Sequence, residues 1–252
     1  VWSYDSDTIF YVQSAPSEDS YKNYNNLCSI NADGSNQKTL ATQTTFADDP
    51  VNNQLDVFKF NLVNMYVESN GDCSLYYTKS HTLNSSSVSD GLFVAMASNV
   101  KDSEKKLNTI ASTTLVPLGY EEGALAYNSQ SVYCWYNGTN AENPVQVTST
   151  SQTIWKVDQA NGIVYYTASS SASSISKISY KQANATATVI MAEGIKTDWL
   201  VLDFVGDDFY FFASNDENYL HTINLTTFDK DAEDAESTYI GCPTDRLDKK
   251  DA

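Results

Sequence analysis

A β-propeller of about five four-stranded blades is the fold this sequence predicts. Three observations lead there. Short runs dense in Ile, Val, Tyr, Phe and Thr recur along the 252 residues. Separators rich in Gly, Asn, Asp and Ser stand between them. One run in each unit is apolar at consecutive positions instead of alternate ones.

The units follow in order. The first, residues 1–42, opens with a short stretch from Val1 to Tyr4, then has DTIFYVQS, a polar gap and NLCSINADGSNQKTL. The second, residues 60–112, is led by Leu62 to Val67 and carries CSLYYTKS, GLFVAMAS and KKLNTIA. The third, residues 115–150, is compressed: Val116 to Tyr120 precede ALAYNSQSVYCWYNG and PVQVTS. The fourth, residues 153–192, has Ile154 to Val157, then GIVYYTASS, SISKISY and ATVIM. The fifth, residues 198–242, has Trp199 to Val205, then DDFYFFAS, YLHTINL and STYIG. A spacing of about 50 residues suits one blade, and the whole chain reads as a single propeller domain. The chain starts at Val1 without Met or signal peptide, which fits a piece of a longer protein.

Branched and aromatic side chains fit a pleated sheet, so these runs are strands. Ala32-Asp33-Gly34-Ser35 is the clearest turn, because Asp-Gly adopts the positive φ that a tight hairpin requires. Asn70-Gly71 and Asn137-Gly138 carry the related signal. The second run of each unit, Ile9 to Val12 or Phe209 to Phe212, lacks the apolar–polar alternation of a half-exposed sheet. Burial on both sides is therefore expected, as between neighbouring blades. A β-sandwich is the alternative. A strand ending at Met96 and a charged loop are expected next, with a short helix between Phe93 and Leu107 as the competing reading. Asp229 to Glu236 reads as an acidic loop or a single helical turn.

Ile9 to Leu40, with its aromatic pair, polar gap, Leu-x-x-Ile strand, Asp-Gly turn and closing Leu, resembles bacterial propeller repeats related to those of the low-density-lipoprotein receptor. Leu75-Tyr76-Tyr77 and Val164-Tyr165-Tyr166 resemble the aromatic pair, and Leu220 to Asn224 resembles the second strand. The first copy matches best, and the receptor's Tyr-Trp-Thr-Asp signature is absent from Tyr77-Thr78-Lys79 and Tyr166-Thr167-Ala168. The resemblance implies a surface or secreted binding propeller, often beside other domains.

Charge narrows the partners. With 32 acidic and 15 basic residues the formal charge is −17, which repels phosphate backbones and anionic headgroups. Nucleic acid is not an expected partner. No apolar run approaches the roughly 20 residues that a spanning helix needs, so direct membrane insertion is not expected. Cys28, Cys73, Cys134 and Cys242 form no CxxC pair; bridges and buried thiols both remain open, and four cysteines allow three pairings. Sequons begin at Asn84, Asn137, Asn184 and Asn224, and matter only in a glycosylating secretory pathway.

No residue is assigned a catalytic, cofactor-binding or metal-binding role, and no cofactor is expected. There is no G-x-S-x-G elbow and no glycine-rich phosphate loop. His81 is expected exposed in a loop, and His221 structural in a strand. Asp229, Asp231 and Asp234 lack the glycine and closing glutamate of a calcium loop, and Asp48-Asp49 and Asp207-Asp208 are similarly weak. Paired carboxylates could run glycoside hydrolysis, for which Asp5, Asp7, Asp72, Glu121, Glu122, Asp158, Asp203, Asp207 and Asp208 are the candidates. Trp2, Tyr4, Tyr21, Tyr24, Tyr120, Trp135 and Tyr136 lie in or near loops or strand ends and could contact a sugar or a protein. The expected function is a non-enzymatic extracellular or cell-surface module binding a protein or carbohydrate through its loops. The alternative is a carbohydrate-active hydrolase of the five-bladed class with axial carboxylates.

Overall fold

The computed structural model describes residues 7–16, 23–44, 48–49, 54–55, 59–83, 86–108, 113–128, 133–136, 145–148, 152–168, 174–191, 203–213, 216–232 and 238–241. They are almost wholly β. Two compact units emerge: residues 1–129 with 133–145, and residues 130–132 with 146–252.

The first unit begins with β1 (Thr8–Pro16), β2 (Asn23–Asn31) and β3 (Lys38–Thr44), hydrogen-bonded in that order. A two-strand ladder, β4 (Asp48–Asp49) with β5 (Gln54–Leu55), follows. Next come β6 (Lys59–Val67), β7 (Cys73–Leu83) and β8 (Ser86–Met96). A 3-10 turn (Ala97–Asn99), one helical turn α1 (Val100–Ser103) and β9 (Lys105–Asn108) complete the sheet β6-β7-β8-β9. The sheet β10-β11-β12-β13 comprises Thr113–Gly119, Gly123–Asn128, Tyr133–Tyr136 and Val145–Thr148, and the division between the units falls within β13.

The second unit holds two more sheets. One is β14 (Gln152–Asp158), β15 (Ile163–Ala168), β16 (Ile175–Ser179) and β17 (Thr188–Met191). The other is β18 (Asp203–Val205), β19 (Asp208–Ala213), β20 (Asp216–Asn224) and β21 (Thr238–Gly241). In every sheet the neighbours are consecutive in sequence, so no strand is skipped.

Burial follows the unalternated apolar runs. Leu75, Tyr76 and Tyr77 on β7 are all fully buried, as are Phe209, Phe211 and Phe212 on β19. Successive strand residues point to opposite faces, so these strands are covered on both sides. Val164, Tyr165 and Tyr166 on β15 and Ala124, Leu125 and Ala126 on β11 repeat the pattern. The first unit's core joins Phe10, Leu27, Phe60, Leu75, Tyr77 and Phe93. Phe60 meets Tyr77 edge-on at 5.5 Å between ring centroids, and Tyr77 stacks with Phe93 at 6.1 Å. In the second unit Phe204, Phe209 and Phe211 form a ladder at 4.6 and 5.3 Å.

The turns obey the residues in them. Gly34 has φ 86°, Asn31 N–H donates to Ser35 O at 2.9 Å, and the Asp33 carboxylate accepts from Ser35 N–H and Oγ at 2.9 and 2.6 Å. These hydrogen bonds hold the Asp33 carboxyl below its ordinary pKa. At Asn70-Gly71, Gly71 takes φ 82° and Glu68 N–H donates to Asp72 O at 2.8 Å. Asn137-Gly138 lies outside the described residues.

Two expectations need adjusting, and one open choice narrows. The stretch after Met96 is not simply a charged loop: Asn99 accepts from Asp102 N–H and starts the single turn α1, whose Val100 is buried in the core. His81 is not exposed in a loop. It lies in β7, which runs to Leu83, and its Nδ1 is 2.8 Å from Asp90 Oδ1. No disulfide occurs among the described residues; Cys28 and Cys73 are buried as thiols.

Candidate functional site

The carboxylates singled out from sequence gather at hairpin turns. Asp72, Glu121, Glu122, Asp158, Asp207 and Asp208 all stand at the turn joining the first and second strands of a four-stranded sheet. Positive-φ glycines mark the same turns: Gly71, Gly119, Gly123, Gly162 and Gly206. A tight reversal needs the left-handed conformation that Gly adopts without penalty, and short acidic side chains close such turns by accepting backbone N–H groups.

Their partners lie within the same unit. Asp72 accepts from Cys73 N–H at 2.8 Å and from Ser98 Oγ at 2.5 Å. Asp158 accepts from Asn161 N–H at 3.1 Å and Nδ2 at 2.8 Å, bonds that hold its pKa below the usual range. Asp208 accepts from Asn224 Nδ2 at 2.8 Å. Asp207 lies 3.7 Å from Lys156 Nζ, and Glu121 lies 3.4 Å from Lys105 Nζ. Glu122 is partly buried, and Asp7, at φ 51°, offers its carbonyl to Ala32 N–H at 2.8 Å. Asp203 begins β18, but its side chain and all of Asp5 lie outside what is described.

Glu68, which sequence reasoning did not single out, joins two sheets. Its Oε1 accepts from Ser74 Oγ and from Tyr120 N–H, both at 2.7 Å. Tyr120, expected as a contact residue, is instead a tie: its hydroxyl donates to Ser103 O at 2.7 Å and Lys105 Nζ sits 3.8 Å from its ring centroid. Trp2, Tyr4 and Tyr21 lie outside the described residues, as do the side chains of Tyr24, Trp135 and Tyr136. His221 stacks on Phe211 at 5.9 Å within β20, where a structural histidine was expected.

Among the described residues of the first unit, a cleft lies between β3 and the segment around α1. It comprises two adjoining hollows of ≈ 460 and ≈ 480 Å³ that share Thr39, Leu40, Val100 and Lys101. The size is that of a small-ligand site. A β-bulge shapes one wall: Leu27 faces Ala41 and Cys28 faces Thr39, so Leu40 is the extra residue. At the floor, Glu104 accepts from the Tyr77 hydroxyl and from Lys79 Nζ, each at 2.5 Å. Lys79 Nζ also stands 4.5 Å from the Phe93 centroid. Burial, reinforced by the Glu104 hydrogen bond and charge, pushes the Tyr77 phenol far above its ordinary pKa. The Tyr77 proton therefore stays on oxygen and serves as a donor to Glu104.

In the second unit Lys156 occupies a similar place. Its ammonium donates to the Gly206 carbonyl, faces Asp207, and lies 6.0 Å from the Tyr165 centroid. Burial raises the Tyr165 pKa, with the charges of Asp158 and Asp207 adding to it. Among the described residues no three His, Cys, Asp or Glu side chains are arranged to hold a metal ion. Asp229 accepts from Asp231 N–H at 3.0 Å, and Asp231 pairs with Lys230 at 2.5 Å. Asp234 lies outside the described residues, and Asp48-Asp49 form β4.

Comparison with known proteins adds little to this geometry. No family model matches the chain. No curated protein matches it either. Among solved structures, one match is a "putative 6-phosphogluconolactonase" from Bacteroides fragilis, at 10% identity and a TM-score of 0.34, covering 95% of this chain and 82% of that one. A likeness of that size carries no argument about fold or activity.

Proposed function

We propose that the chain is a non-enzymatic extracellular or cell-surface binding module, with its sheets as the blades of a β-propeller of the lipoprotein-receptor-like kind. Consecutive strand order and two-sided burial of β7, β11, β15 and β19 support the architecture. The observation that carries the functional reading is how the polar groups are used. Asp72 accepts from Ser98, Asp158 from Asn161 in its own turn and Asp208 from its cross-strand neighbour Asn224, and Asp207 faces a lysine of its own unit. Carboxylates spent on shaping turns make a rigid frame for recognition. The β3–α1 cleft, with hydroxyls and aliphatic walls over an internally paired Lys79–Glu104 floor, is the surface on which a protein or glycan would rest.

The test is a screen of the full chain against immobilised glycans and extracellular proteins, with reducing-sugar release measured in parallel. Saturable binding without turnover is expected. Sustained release of reducing ends would assign the chain to the hydrolases, and no binding in any class would overturn the proposal.

A further inference from the structure

The cleft has a charge opposite to that of the molecule. The chain carries 32 acidic and 15 basic residues, yet the two hollows are lined by Lys38, Lys79 and Lys101 and one acid, Glu104. Glu104 is already paired with Lys79, which leaves Lys38 and Lys101 as exposed cations on opposite walls. Asp72 and Asp102 keep their charges at the rim, where Asp72 accepts from Ser98 Oγ and Asp102 N–H donates to Asn99, but neither lines the hollows, whose own side chains leave two lysines in excess. In a strongly negative protein, a local cationic patch concentrates anionic ligands while the remaining surface repels them.

Other lining groups narrow the class. Thr39, Thr42 and Asn99 are exposed and can exchange hydrogen bonds with hydroxyl groups. Leu40 and Ala41 give a partly buried aliphatic wall. An acidic peptide would bind most readily by pairing with the edge of β3, the terminal strand of its sheet. However, α1 and the 3-10 turn pack against β3, and the residues lining the cleft between them offer lysine, hydroxyl and amide side chains. Side-chain groups, not a backbone ladder, are what the cleft presents.

Resting on the binding role above, we infer that the β3–α1 cleft binds a carboxylate-bearing oligosaccharide, with Lys38 and Lys101 holding uronate carboxylates. The neighbouring hydroxyls and amide take the sugar hydroxyls. Lys79 and Glu104 form the floor and do not exchange partners.

The experiment is calorimetric titration of the full chain with oligogalacturonate, its methyl-esterified neutral form and poly-glutamate. Oligogalacturonate is expected to bind, more weakly as salt rises, and the neutral form to bind at least about tenfold more weakly. The double variant K38A/K101A should lose about tenfold or more in affinity, and K38E/K101E should lose binding altogether. K181A, an exposed lysine of the second unit, should leave affinity unchanged. Circular dichroism of each variant checks folding. Binding indifferent to the Lys38 and Lys101 changes, or tighter for the neutral sugar, would overturn this inference and leave the binding role standing. Tighter binding of poly-glutamate would replace the glycan by an acidic protein segment and so overturn the ligand class. Failure of every probe would overturn the site.

Discussion

The hydroxyl of Tyr76, in the first half of β7, lies 2.6 Å from the carbonyl oxygen of Gly123, across the boundary between two sheets of the first unit. The same oxygen is 2.8 Å from Gly119 O and accepts from Gly119 N–H at 3.2 Å. One buried side chain thus fastens both glycine ends of the β10–β11 turn to the middle of the preceding sheet. Tyr76→Phe keeps the ring and removes the hydroxyl, leaving buried backbone groups without it. A loss of about 1–3 kcal/mol in unfolding free energy is expected, read as a lower urea midpoint at unchanged m. An unchanged midpoint would mean that ring packing alone joins the sheets.

Alkaline pH probes the same residue differently. Burial raises the Tyr76 and Tyr77 phenols above the ordinary value of about 10. A raised folded-state pKa gives stability that is fully present below the unfolded pKa and lost as pH rises through the folded one. Stability should therefore fall above about pH 10, and the fall should be shallower in Tyr76→Phe. Denaturant titrations at stepped alkaline pH measure it, with tyrosinate absorbance following ionisation. Parallel wild-type and variant curves would show that Tyr76 takes no part.

Glu104 and Tyr77 are 27 residues apart and depend on each other at the cleft floor. Tyr77→Phe, Glu104→Gln and the double variant form a cycle whose coupling is expected at about 1–2 kcal/mol, as for a charge-assisted hydrogen bond. Equilibrium unfolding in urea supplies all the values. Zero coupling would mean that Glu104 is held by Lys79 alone.

What the sequence displayed and what it concealed have separate physical causes. The runs at Leu75, Val164 and Phe209 were readable because both faces of these strands are buried, whereas in the Ile9–Val12 run only Phe10 is buried and its neighbours are partly exposed. Asp33-Gly34 and Asn70-Gly71 were readable because few residues take positive φ cheaply. The end of β7 beyond Ser80 was missed: His81-Thr82-Leu83 follows the polar Thr78-Lys79-Ser80, and its strand character comes from pairing with β8, where Ser80 faces Ser89 and His81 faces Val88. The α1 turn was also obscured, since a helix of four residues has no room for a period. The cleft had no local signature at all. It needs the Leu40 bulge on one sheet and Glu104 beyond another, a long-range meeting that no spacing encodes. The turn carboxylates were legible as acids near strand ends, but their use as turn closures emerged only from their partners.

Asp158 offers a test of that use. Its carboxylate closes the β14–β15 turn on Asn161, just before Gly162 at φ 67°. Hydrogen bonds to Asn161 lead the causes that depress its pKa, with the charge of Lys156 adding to them. For a depressed carboxyl the contribution is present above the unfolded pKa of about 3.9 and disappears as pH falls through the folded value. The site is largely open to water, which screens the effect. Asp158→Ala should therefore cost only about 0.5–1 kcal/mol at neutral pH. Asp158→Asn should lose less, because its side-chain oxygen still accepts from the Asn161 backbone. Urea midpoints of wild type and Asp158→Ala should converge as the pH is lowered through the carboxylate range. A gap that persists undiminished in acid would trace the loss to backbone preference at position 158, because a carboxylate bond cannot outlast its own protonation.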